Sequence, residues 1–139
     1  MESEVGVIMD KLLTVLVIDD EPHIREVLEY NLKLDGFEVL TAADGRTGLE
    51  LAIEKKPDLV LLDWMMPQMD GLQVLAELKR DTRTKDIRVF MLTAKSMLTE
   101  VGRALYEGAD DYITKPFDPA ELGGILKIKM EDYLQVKDR

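Results

Sequence analysis

The sequence predicts an α/β fold in which a parallel sheet is covered by helices on both faces. Three observations predict it: short, near-continuous apolar runs rich in β-branched residues, amphipathic stretches at helical spacing, and a regular alternation of the two. Residues 13–18 suit a strand buried on both faces, and Asp19, Asp20 and Glu21 end it. Pro22 then stands where a first helical turn tolerates proline. Ile24, Val27, Leu28 and Leu32 recur at helical spacing until Gly36. Residues 37–40 read as a second, weaker strand. Leu49, Ala52 and Ile53 mark the next helix, which Pro57 closes, and residues 58–62 form a third strand ending at Asp63.

The second half repeats the rhythm. Leu72, Leu75 and Leu78 give a helix, residues 87–92 a strand, and Leu98, Val101 and Leu105 a helix. Residues 112–114 are a short strand before Lys115-Pro116, and Leu122, Ile125, Leu126, Met130 and Tyr133 stripe the last helix. Gly123 and Gly124 lie inside that helix, where each is expected to cost about 1 kcal/mol relative to Ala, with close packing as the available reason to keep them. Residues 1–11 read as a loose arm, 12–135 as the domain and 136–139 as a tail.

Length and composition bound the function. A chain of 139 residues fits one domain, and 46 % hydrophobic residues suffice for a core. There is no Cys, hence no disulfide or thiolate site, and a single His excludes a multi-His metal centre. No apolar run approaches the roughly 20 residues that cross a bilayer, and no signal-peptide pattern opens the chain, so a soluble cytoplasmic protein is expected. Eighteen basic against 28 acidic residues give a formal charge of −10. Such a surface repels polyphosphate and anionic lipid, so neither direct nucleic-acid binding by this chain nor membrane binding is expected.

In a doubly wound sheet the active crevice lies beyond the C-terminal strand ends, where the winding reverses. The first strand delivers Asp19 and Asp20 there, the third Asp63, the fourth Thr93 and the fifth Lys115. Hard oxygen donors without His or Cys suit Mg²⁺. A carboxylate can also attack phosphorus, provided that metal, ammonium and hydroxyl or amide donors neutralise the charge that develops. Each residue alone also fits a duller role: a helix-capping acidic cluster, a turn aspartate, the start of a loop, a solvated lysine. His23 reads as a surface residue, and Met65, Met66 and Met69 as packing. The case for a site is the joint placement at four strand ends.

These residues resemble the receiver domain of bacterial two-component response regulators, the CheY-like family. The motifs are Val17-Ile18-Asp19-Asp20-Glu21, Leu61-Leu62-Asp63-Trp64-Met65-Met66-Pro67 with Asp70-Gly71, Leu92-Thr93-Ala94, and the run from Gly108 to Phe117. The resemblance spans about residues 12–135. It implies a flavodoxin-like, five-stranded parallel sheet in the order 2-1-3-4-5. It makes Asp63 the phosphoacceptor, fed by a sensor histidine kinase. Asp20 and Asp63 would ligate Mg²⁺ directly, Asp19 through water, and Met65 through its backbone carbonyl. Thr93, Ala94 and Lys115 would bind the phosphoryl group, and the Lys115–Pro116 peptide would be cis. Thr93 and Tyr112 would act as the switch that changes the face of the fourth helix, fifth strand and fifth helix for an unidentified downstream protein. Met65 and Lys95 hold the positions that tune phosphoryl lifetime in the family.

The local strings look most like receivers attached to winged-helix transcription factors. Of the ion pairs through which those receivers dimerise, Glu121 and Asp111 remain, whereas the two Arg positions hold Val101 and Ile125. A monomer or a weak phosphorylation-dependent dimer is therefore expected. The chain ends at Arg139, about where the last receiver helix should stop, so output is expected to come from a partner. Two other readings compete. A phosphohydrolase of the haloacid-dehalogenase type would need an acid/base two residues after the nucleophile, where Met65 cannot transfer a proton. A receiver-like interaction module that works without phosphorylation would have no need of the five site residues.

Overall fold

Five strands and five helices alternate through the described residues, which are 12–94 and 101–137 of the computed structural model (side chains excepting Tyr106 and 132–137). In order they are β1 Thr14–Ile18, α1 Pro22–Leu34, β2 Glu38–Ala42, α2 Gly45–Lys55, β3 Leu59–Asp63, α3 Gly71–Arg80, β4 Arg88–Ala94, α4 Val101–Tyr106, β5 Asp111–Lys115 and α5 Pro119–Lys137. The sheet is wholly parallel with the order β2-β1-β3-β4-β5, the doubly wound architecture expected. Leu98, Lys95, the 1–11 arm and the end of the tail lie outside the described residues.

Alternation along each strand divides the core into two layers. Val15 and Val17 of β1, Leu59 and Leu61 of β3, and Phe90 and Leu92 of β4 pack with Leu28, Leu32, Leu122 and Leu126 of α1 and α5. Leu16, Ile18, Val60, Leu62, Val89 and Met91 face the other way, against Ala52, Val74, Leu75 and Leu78 of α2 and α3. Burial on both faces is what made these runs read as continuous rather than alternating.

Several elements differ from their sequence reading. Strand β2 runs on to Ala42 because β1 continues to pair with it through Ile18↔Ala42. On α4 the buried pair is Val101 and Ala104, three apart on one face; Leu105, a further 100° round the helix, is exposed. On α5, Leu122, Leu126 and Met130 are buried, whereas Ile125 is exposed. Met66 is in the core and Met69 packs against it, but Met65 is 65 % exposed and is no packing residue.

Glycines on α5 and α3 have separate reasons. A Cβ on Gly123 would run into the Asp35 carboxylate at the end of α1, so this glycine lets α1 and α5 close. Gly124 faces open space, and packing gives no reason for it. At Gly71 a Cβ would lie 2.5 Å from the Asp63 carbonyl oxygen and 2.8 Å from Trp64 Cα, both backbone atoms that cannot step aside. Gly124→Ala should therefore stabilise the protein by about 0.5–1 kcal/mol through helix propensity. Gly71→Ala should destabilise it by about 2 kcal/mol or more through overpacking. Urea denaturation of both variants distinguishes the two cases.

Candidate functional site

Parallel pairing sets the ends of β1 and β3 side by side, with Ile18 opposite Leu62. The next residue on each strand is a carboxylate. Asp19 shares the parity of Val15 and Val17, and Asp63 that of Leu59 and Leu61, so both belong to the α1/α5 face. Lys115 shares the parity of Ile113 on β5 and comes to the same side.

Asp19 is fully buried, and every polar group it owns is engaged. Its amide donates to the Ala42 carbonyl at 3.1 Å, prolonging the sheet ladder. Its carbonyl accepts from the Arg25 guanidinium at 2.7 Å, its Oδ1 from the Glu21 amide at 2.9 Å, and its Oδ2 from Lys115 Nζ at 3.3 Å. Asp63, with a side chain only 6 % exposed, accepts from the same Nζ at 3.1 Å. Carboxylate oxygens of Asp19, Asp20 and Asp63 all lie within 4.8 Å of one another. Asp20 is half-buried at the rim.

The electrostatics follow from that crowding. Burial raises the Asp63 carboxyl to about 6, with the neighbouring Asp19 charge adding to the rise and Lys115 opposing it. Burial pulls the Lys115 ammonium down, but attraction to Asp63 and Asp19 and hydrogen bonds to both leave it raised. All-oxygen donors, excess negative charge and an open rim at Asp20 fit a hard divalent cation such as Mg²⁺.

The loop after β3 is fixed from both ends. Trp64 donates its amide to Leu92 at 3.1 Å and accepts from the Gly71 amide at 2.8 Å. Asp70 caps α3 in a reciprocal box with Gln73. Met65 lies in this loop, its side chain pointing to solvent. Thr93 is buried at the end of β4 with parity opposite to Asp63, and its hydroxyl donates to the Ala94 carbonyl at 3.3 Å. Among the described residues it bonds to none of the carboxylates. Ala94 is opposite Lys115 in the register, and Tyr112 is 38 % exposed on β5. The Lys115–Pro116 peptide is cis, and His23 is exposed on α1. The sequence reading missed Arg25; its signal was a cation on the turn after the acidic pair.

Comparison with known proteins shows the family of the chain. Residues 15–127 match the family described as response regulator receiver domain. The chain belongs to this family. It is thus a receiver domain of the two-component response regulators. It is similar to the DNA-binding dual master transcriptional regulator RpaA of Synechocystis sp., with 45 % identity over 108 residues, 78 % of this chain and 45 % of that protein. It is also similar to the phosphate regulon transcriptional regulatory protein PhoB of Pseudomonas aeruginosa, with 46 % identity covering 82 % of this chain and 50 % of that one. Among solved structures, chemotaxis protein CheY4 of Vibrio cholerae matches with a TM-score of 0.79 at 30 % identity, covering 85 % of this chain and 98 % of that chain. A receiver domain protein of Clostridium thermocellum matches with 0.80 at 32 %, covering 90 % and 99 %.

The receiver spans about half the length of those transcriptional regulators. The expectation of no direct nucleic-acid binding by this chain is corrected by them, since the relatives include a DNA-binding regulator. The charge argument failed because it concerned only these 139 residues, whereas the matched segment is about half of each relative. No helix of the described residues is long and apolar enough to cross a membrane.

The raised Asp63 carboxyl makes a pH prediction. The native state keeps a proton that the unfolded chain, titrating near 3.8, releases, so stability falls as pH rises from about 4 to 6. Asp63→Asn should therefore stabilise the metal-free protein by about 3 kcal/mol at pH 7, with the gain fading as pH falls through that window. Urea denaturation across pH measures it; a gain that is the same at pH 4 and pH 7 would contradict the electrostatic origin.

Proposed function

We propose that this receiver is a phosphoacceptor: Asp63 takes a phosphoryl group from the phosphohistidine of a sensor histidine kinase, and the added charge alters the α4–β5–α5 face. The observation that supports this most is the single Lys115 ammonium shared by two buried carboxylates, one of which stands at the end of the central strand of the sheet. Among the described residues Lys115 is the cation bonded to these carboxylates, and three acids gathered around one ammonium favour further positive charge at the rim.

Mg²⁺ would be held by Asp20, Asp63 and the Met65 carbonyl directly and by Asp19 through water; when bound, it neutralises charge on the phosphoryl oxygens. An Asp63 oxygen forms the bond to phosphorus as the bond from phosphorus to the kinase imidazole breaks. The imidazole nitrogen keeps the electron pair and is protonated from solvent. Lys115 transfers its hydrogen bond from the carboxylate to a phosphoryl oxygen, and the Ala94 amide supplies another donor. Thr93 exchanges its bond to the Ala94 carbonyl for one to the phosphoryl group, and Tyr112 moves in behind it. These two side chains convert the local charge into a changed surface. Met65, apolar and exposed, supports transfer to and from Asp63 without an intrinsic acid/base for general phosphomonoester hydrolysis.

With Mg²⁺ and a small acyl phosphate, the protein should gain one phosphoryl group by intact-mass analysis. Asp63→Asn should abolish the gain, and Lys115→Ala should slow it by about 10²-fold or more, the usual scale for removing one charge-stabilising donor. Trp64, buried beside Asp63, should change fluorescence with Mg²⁺. A wild-type protein that gains no phosphoryl group would overturn the reading.

A further inference from the structure

We infer that Arg25 is a positioning residue for the cation end of the site, acting through the backbone of Asp19; this rests on the phosphoacceptor reading above. Arg25 lies in the second turn of α1 and is half-buried, and its amide bonds back to the Glu21 carbonyl at 3.1 Å. From there its guanidinium reaches over the acidic turn, and one nitrogen donates to the Asp19 carbonyl at 2.7 Å. That carbonyl belongs to the peptide linking Asp19 to Asp20. The bond therefore fixes the plane from which the Asp20 side chain departs.

The need for such a brace is visible in the strand register. β1 stays paired on both sides through Ile18, facing Ala42 and Leu62. Beyond Ile18 the ladder keeps one bond only, from the Asp19 amide to Ala42. The Asp19 carbonyl is the first beyond the paired residues of β1, and Arg25 supplies its bond from outside the sheet. Lys115 bonds to the Asp19 carboxylate and not to its peptide; the Glu21 amide closes an Asx-turn onto that carboxylate across the following peptide, and Arg25 adds the bond to the peptide's own carbonyl. Three carboxylates within 4.8 Å repel one another when ionised, and the rim residue Asp20 has the most freedom to swing away. Arg25 keeps it in place without itself binding a carboxylate of the cluster, which leaves the oxygens to a cation.

Charge and orientation predict opposite signs. A guanidinium beside the cluster repels an incoming cation, so if Arg25 acted only through its field, removing it would tighten Mg²⁺ binding. As a brace its removal should weaken binding. Groups that orient metal ligands typically contribute 10–100-fold to affinity, so Arg25→Ala should bind Mg²⁺ about tenfold more weakly than wild type. Only one guanidinium nitrogen makes the bond, so Arg25→Lys, with a single ammonium donor, should recover most of the affinity.

Mg²⁺ titrations of the full chain followed by Trp64 fluorescence read this directly, with metal-free denaturation of each variant alongside. Weaker binding in Arg25→Ala, recovered in Arg25→Lys, is the expected result. Wild-type response with Arg25→Ala binding Mg²⁺ equally well or more tightly would overturn the brace and leave the phosphoacceptor reading standing. Absence of any wild-type response would overturn both. If Arg25→Ala is too unstable to titrate, Arg25→Met, which keeps the apolar stem but has no donor, takes its place under the same criteria.

Discussion

One lysine shared by two buried carboxylates is the interaction on which the rest of this molecule depends. Two carboxylates this close repel each other in a low-dielectric crevice, and Lys115, bonded to both, opposes the rise that burial and the neighbouring Asp19 impose on Asp63, which is pushed up to about 6. The balance is deliberately incomplete. A second lysine would close the site as a structural ion cluster, and none at all would leave one acid protonated and poorly nucleophilic. With Lys115 bonded to both, the site lies between those limits, which is the balance the proposed phosphoacceptor role calls for.

The fold exists, at this end, to make that triad. Placing β1 beside β3 sets Asp19 and Asp63 on neighbouring strand ends, and alternation turns both to the α1/α5 face. β4 sits between β3 and β5, and Lys115 reaches from β5 to Asp19 on the far side of β3. The small Ala94 stands opposite Lys115 on the intervening strand. Gly71 then brings α3 down on the Asp63–Trp64 backbone so closely that no side chain fits between them. Strain at Gly71 would be felt at Asp63, because the atoms it meets there are the Asp63 and Trp64 backbone.

Much of this was legible in the sequence, and the exceptions have physical causes. Strands such as β1 and β3 announce themselves because burial on both faces demands unbroken apolar runs, and their terminal acids stand out where those runs stop. Periodicity was less informative at α4 and α5. Leu105 and Ile125 are apolar and in plausible phase, yet exposed, since spacing alone does not say which of two adjacent apolar positions meets the sheet. The two glycines of α5 look alike in sequence, but only the neighbourhood of Asp35 separates the constrained Gly123 from the free Gly124. At the site, sequence brought Thr93 to the right strand end, while its present hydroxyl bond to Ala94 depends on parity within β4. Arg25 was the harder residue to find: its only signal is a cation one turn after the acidic pair, and its bond is to a backbone carbonyl, which no motif marks.

The central claim, that Asp19, Asp20 and Asp63 form one cation site beside Lys115, is tested most directly by paramagnetic relaxation. Mn²⁺ shares the oxygen preference of Mg²⁺ and broadens amide resonances close to where it binds. Added in substoichiometric amounts to isotopically labelled protein, it should first erase the signals of Asp19, Asp20, Trp64 and Met65 and leave those of the exposed acids Glu50 and Glu77 intact. Broadening that begins at those exposed acids, with the Asp63 neighbourhood unchanged, would contradict the account.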